Sequence, residues 1–110
     1  MAFLALASQK SLLTLQKNFL QFQLVSIMNQ THIASAQMAS IEKEYSSQDN
    51  GDCTEDADYI YWKDMDDQLQ TEKDSIESQI TAIENEISGL KTLVNNNIKS
   101  SCTLNLASGG

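Results

Sequence analysis

Proline and arginine are absent from this chain of 110 residues, and only four glycines occur, two of them at its very end. Proline and glycine are the strongest punctuators of loops and turns, so their scarcity predicts long, uninterrupted helices. Clusters of aromatic and β-branched residues at strand period are also missing, which points away from sheet. Positive charge is scarce: seven lysines stand against fifteen acidic residues, for a net charge of −8. That balance excludes the basic face that nucleic acid requires, and equally any attraction to an anionic membrane surface. No apolar run is long enough to span a bilayer. Phe3-Leu4-Ala5-Leu6-Ala7 is too short, has no basic residue before it, and leads through Ser8-Gln9-Lys10 into amphipathic sequence. No membrane span and no cleavable signal peptide are therefore expected. The localisation that follows is secretion or the cell surface by a route without a cleaved signal, or otherwise the cytoplasm.

The length allows one domain at most, small enough to be marginal unless its elements pack well or associate. The pattern predicts a helix over 2–46, a turn over 47–56, a second helix over 57–100 and a tail over 101–110. The turn is marked by Ser46-Ser47-Gln48-Asp49-Asn50-Gly51-Asp52, a cluster of turn formers around Asn-Gly. Thr54, followed by Glu55, Asp56 and Asp58, reads as the N-cap of the second helix, with an acidic first turn. Asn95-Asn96-Asn97 weakens that helix, and Ser100-Ser101 is expected to end it. The fold class is all-α: a long antiparallel two-helix hairpin, coiled-coil-like, assembled with other chains.

The second helix carries one heptad seam. Steps of four and three run through Tyr59, Trp62, Asp66, Leu69, Lys73, Ile76, Ile80, Ile83, Ile87, Leu90, Val94 and Asn97. Its other faces are polar. The first helix has two apolar sides. Every seventh residue gives Leu6, Leu13, Leu20, Ile27, Ala34 and Ile41, the column expected to pack on the second helix. A second apolar surface, with Leu12, Leu15, Phe19, Phe22, Ile33 and Ala36, lies on the far side at about 100° per residue. Gln9, Gln16, Gln23, Gln30 and Gln37 run down one boundary between the two sides. Ser11, Thr14, Asn18 and Ser35, interrupted by Val25 and Met28, run down the other. A two-helix hairpin covers only one of these sides, and an exposed apolar strip of such length exceeds what soluble monomers usually carry. Leu12, Leu15, Phe19, Phe22 and Ile33 are therefore expected to face another subunit, and identical copies are the most economical partners.

All fifteen acidic residues lie between Glu42 and Glu86, while residues 1–41 and 87–110 carry only lysines. Folding at Asn50-Gly51 would put a mildly basic end opposite a strongly acidic one, an arrangement suited to head-to-tail association.

Catalytic chemistry finds no footing. The single histidine, His32, has no acid or cysteine within a helical turn, and no nucleophile–base pair, phosphate loop or metal-ligand spacing occurs. No enzyme activity, cofactor or metal is expected. The oxygen-rich stretch Asp49–Asp58 fails the EF-hand pattern: counting from Asp52, Ala57 takes the glycine position and Lys63 the glutamate position. Cys53 and Cys102 fall at opposite ends of the expected hairpin, roughly 65 Å apart. A disulfide needs Cα atoms within about 7 Å, so the two are either free thiols or links between subunits.

The opening Leu6-Ala7-Ser8-Gln9-Lys10-Ser11-Leu12-Leu13-Thr14-Leu15 resembles the start of short uncharacterised bacterial helical-hairpin proteins, which implies a hairpin and no particular activity. In outline the chain is also similar to the needle subunits of type III secretion systems. That likeness implies a small hairpin, exported without a cleaved signal and polymerised into a tube, although Ser46 to Thr54 lacks the proline of the needle-subunit turn. WXG100 proteins of type VII secretion are similar in size and outline, but Trp62-Lys63-Asp64 has aspartate where their glycine stands and follows the turn. The function expected is a self-assembling structural subunit, of an extracellular or surface filament. A coiled-coil adaptor or chaperone-like protein binding a different chain is the alternative, and a secreted WXG100-like effector the third.

Overall fold

The structure, a computed structural model, describes the backbone of residues 2–48 and 51–109 and the side chains of residues 5–48 and 51–96. Helix α1 spans Ala2–Gln48, a 3-10 turn spans Cys53–Glu55, and helix α2 spans Ala57–Gly109. Among the described residues there is no strand, and the fold is an all-α helical hairpin.

The helices are longer than the sequence led us to expect. Helix α1 passes Ser46 and Ser47 before stopping at Gln48, where Ser47 Oγ donates to the Glu44 carbonyl at 3.1 Å. Helix α2 does not end at Ser100: its backbone continues to Gly109, so the segment 101–110 drawn as a tail is helical through residue 109. The reason is physical. Asparagine and serine lower helix propensity by tenths of a kcal/mol, roughly, whereas only glycine or proline approaches or exceeds 1 kcal/mol, and no such residue occurs after Gly89 until Gly109.

The start of α2 also differs from expectation. Thr54 does not cap it. Thr54 lies inside the 3-10 turn, where its amide donates to Asp52 Oδ1 at 3.1 Å and its hydroxyl to Asp52 Oδ2 at 2.8 Å. Asp52 thus caps the 3-10 turn, and Gly51 before it takes φ of 83°, a conformation glycine adopts without strain. The α2 cap is Asp56, whose Oδ1 accepts the Asp58 amide at 2.9 Å and the Tyr59 amide at 3.1 Å.

The chain divides into two compact units. One is the contiguous hairpin Phe22–Glu77, which contains the turn; the other combines Met1–Gln21 with Ser78–Gly110. In the hairpin unit, Ile27, Ala34, Cys53 and Leu69 are buried, and Ala34 is fully covered at 0% exposure. In the two-arm unit Ile80 is buried, and Leu13, Leu20, Ile83 and Ile87 are half-buried.

Candidate interaction surface

The structure places the inner seam residues as follows. In α1, Leu6, Leu13, Leu20 and Ile41 are half-buried and Ile27 is buried. In α2, Leu69 and Ile80 are buried, while Trp62, Ile76, Ile83, Ile87, Leu90 and Val94 are half-buried. The seam has a second half in α1 that the apolar pattern alone does not reveal. Lys10, Lys17, Leu24, Thr31, Met38 and Tyr45, each four residues after an inner-column residue, are half-buried as well. Two lysines and a threonine hide this column from a hydrophobicity scan, but the four-residue step itself would have found it. The polar members are accommodated locally. Thr31 Oγ1 donates to the Ile27 carbonyl at 2.9 Å, and Lys17 Nζ reaches Glu84 Oε1 at 3.9 Å while its stem lies along the seam. Asp66 and Lys73 are half-buried on α2, with Lys73 Nζ at 3.8 Å from Glu77 Oε1.

The opposite side of α1 is bare. Leu12, Leu15 and Phe19 are exposed in the two-arm unit, and Phe22, Val25, Met28 and Ile33 in the hairpin unit. Phe19 is 62% and Phe22 74% exposed, values that leave nearly whole rings in water. The glutamine column borders this surface: Gln9, Gln16, Gln30 and Gln37 are exposed and Gln23 is half-buried, with Gln30 Nε2 donating to Ser26 Oγ at 3.3 Å. In the two-arm unit the apolar surface continues onto α2, where Leu93 is exposed and lines a shallow groove with Leu12, Leu13 and Leu90. Leu93, like Ile60 near the turn, lies off the α2 seam and was missed because isolated apolar residues carry no period.

The turn end has its own electrostatics. The Tyr45 hydroxyl donates to Asp56 Oδ2 at 2.7 Å, so one carboxylate caps α2 with one oxygen and holds α1 with the other. The Tyr45 hydrogen bond, reinforced by the Tyr59 amide, holds the Asp56 carboxyl below its ordinary range. The same bond raises the Tyr45 hydroxyl. Tyr59, which donates to Glu42 Oε1 at 3.3 Å, is raised by burial first and by the Glu42 charge second. Tyr61 and Trp62 meet edge-to-face at 5.1 Å between ring centres. Cys53 is a free thiol, 8% exposed, and its burial raises its pKa. An intermolecular disulfide through Cys53 would require this turn to open. The Cys102 side chain lies outside the described residues.

Among the described residues no group of three or more histidine, cysteine or acidic side chains converges on a metal-sized site, and no helix is long and apolar enough to cross a membrane. Among the described residues, the outer side of α1 carries the largest group of exposed apolar side chains. Comparison with family models, with curated proteins and with solved structures finds no match to this chain.

Proposed function

We propose that this chain is a structural subunit that assembles with copies of itself through the outer side of α1, as the building block of a filament. The observation that carries this reading is the exposure of Phe19 and Phe22 on a helix that already has a covered apolar side. A side chain of this size contributes on the order of 1.5–3 kcal/mol when removed from water. Several in one strip make association the favourable outcome. Aromatic residues in the strip suit the role, because they bring large contact area with few rotatable bonds.

The test combines sedimentation, circular dichroism and negative-stain electron microscopy on wild type, Phe19→Asp and Phe22→Asp. Wild type is expected to associate with rising concentration and to yield filaments at high concentration. Each aspartate variant is expected to keep its helicity and to stay monomeric. A wild type that remains monomeric at all concentrations sinks the reading. So does loss of helicity in both variants, which would make this surface part of the fold's own core.

A further inference from the structure

The hairpin unit's share of the outer side of α1 contains one group that changes charge near neutral pH, the chain's single histidine. Phe22, Val25, Met28 and Ile33 are exposed there, and so is His32. At about 100° per residue, His32 stands about 140° from buried Ile27 and about 160° from buried Ala34, on the side turned away from the inner seam. The same count puts Met28 on one flank of the imidazole and Phe22 and Ile33 on the other, with Val25 two turns before it. Among the described residues His32 has no ion-pair partner.

Charge is absent from this stretch and dense beyond it. From Phe22 to Ile41, α1 carries no other charged or titratable side chain. The thirteen acidic residues of the hairpin unit all follow Ile41 and, against three lysines, give that unit a net −10. Glu42 is the nearest of them on α1, about 15 Å along the helix. On α2, Asp66, Asp67, Glu72 and Lys73 lie level with His32, between the Tyr59–Glu42 hydrogen bond and the groove that Ile76 shares with Ile27. They are reached only across the width of α1, about 10 Å. Salt at about 0.15 M screens charges beyond about 8 Å.

Resting on the proposed self-association, we infer that His32 makes it pH-dependent: two copies meet through this patch while the imidazole is neutral and part when it is protonated. The choice of partner surface follows from charge. Two hairpin units repel each other wherever their acidic surfaces approach, and Phe22–Ile41 is the stretch of α1 in this unit that a copy can approach without meeting a carboxylate. A contact centred on this patch removes an imidazole of each copy from water, whichever way the two helices run. A neutral imidazole tolerates that transfer. A protonated one would be buried with no counter-charge from either patch, which disfavours the charged form. Protons therefore bind the separate chains better than the pair, and association weakens as pH falls through the imidazole range, about pH 8 to 5. Neutralising carboxylates acts in the opposite sense by relieving repulsion, but they titrate near pH 4. The two effects occupy different pH windows.

The experiment is sedimentation of wild type and His32→Gln at about pH 7.5 and about pH 5.5, with circular dichroism to follow helicity. Wild type is expected to associate about tenfold or more weakly at the lower pH, with helicity unchanged. His32→Gln, whose amide stays neutral, is expected to associate equally at both. The inference is overturned, with self-association left standing, by a wild type that associates as tightly at the lower pH. It is overturned equally by a His32→Gln variant that weakens as much as wild type, or by a weakening that accompanies loss of helicity. A wild type that is monomeric at both values overturns both readings. The imidazole proton resonance supplies a check that needs no variant, because the chain has one histidine. Its titration midpoint is expected to fall as protein concentration rises through the association range. A midpoint independent of concentration removes His32 from the contact.

Discussion

Helices α1 and α2 contribute comparable inner seams, yet their outer sides differ in kind. Helix α2 holds nine acidic residues and α1 only two, both near its C-terminal end. Of the large apolar residues left exposed among the described residues, α2 has the neighbours Ile60 and Tyr61 and, far from them, Leu93, while α1 has seven concentrated between Leu12 and Ile33. One helix therefore meets water with charge, and the other meets it with leucine and phenylalanine. Folding alone accounts for the inner seam of α2, since one apolar side suffices for one partner. It explains only half of α1. The lesson is that an amphipathic helix and a two-sided helix can share the same inner period, and only the outer period separates a scaffold element from an interaction element.

The sharpest way to break this comparison is to damage the inner seam and the outer seam separately. Leu69→Ala, at a position 3% exposed, is expected to destabilise the fold by about 2–5 kcal/mol in thermal or chemical unfolding. Phe22→Asp is expected to leave unfolding of the monomer nearly unchanged. Equal losses in the two variants would erase the distinction between the sides.

A smaller effect is expected at the turn, where the inner side of α1 is held by hydrogen bonds instead of packing. Tyr45→Phe removes the donor to Asp56 and is expected to lower the melting temperature by several degrees at neutral pH. The sign of its pH dependence follows from Asp56. A carboxyl whose folded pKa is depressed contributes stability above its unfolded pKa and loses it as pH falls through the folded value. The gap between wild type and Tyr45→Phe is therefore expected to close below about pH 4. A gap that persists at pH 2 would mean that Tyr45 acts by packing alone.

The smallest expected change is on α2. Gly89 is helical, and a Cβ added there meets nothing within 4 Å. Gly89→Ala is expected to stabilise the protein by about 0.5–1 kcal/mol, through helix propensity alone. A destabilising result would mean that the groove Gly89 lines with Leu12, Leu13 and Leu93 has no room for a methyl group.

Much of this was legible in residue order. The two helices, the polar turn and the isoleucine stripe of α2 follow from missing proline and from the spacing of Ile76, Ile80, Ile83 and Ile87. The bare Phe19 and Phe22 were visible as a column without a partner. Other features were hidden for definite reasons. The seam positions Lys10, Lys17 and Thr31 are read as surface by any apolar scan, because long stems and a self-satisfied hydroxyl pack where polar heads would not. The N-cap was assigned to Thr54 because a short 3-10 turn shifts the true start of α2 to Asp56, and Asp, Ser and Thr are interchangeable as capping letters. The end of α2 is hidden because Asn95–Asn97 and Ser100-Ser101 weaken a helix without terminating it.

A heptad seam has an inherent ambiguity, since sliding one helix by seven residues returns apolar side chains to apolar neighbours. Packing chemistry alone is a ruler with identical divisions. The Asp56 carboxylate supplies its zero mark. It begins α2 and is engaged by Tyr45 of α1 at the same moment, so a slipped hairpin would have to give up either its cap or its tether. Misaligned hairpins are thus penalised at one end, close to the turn, where the chain first closes on itself during folding.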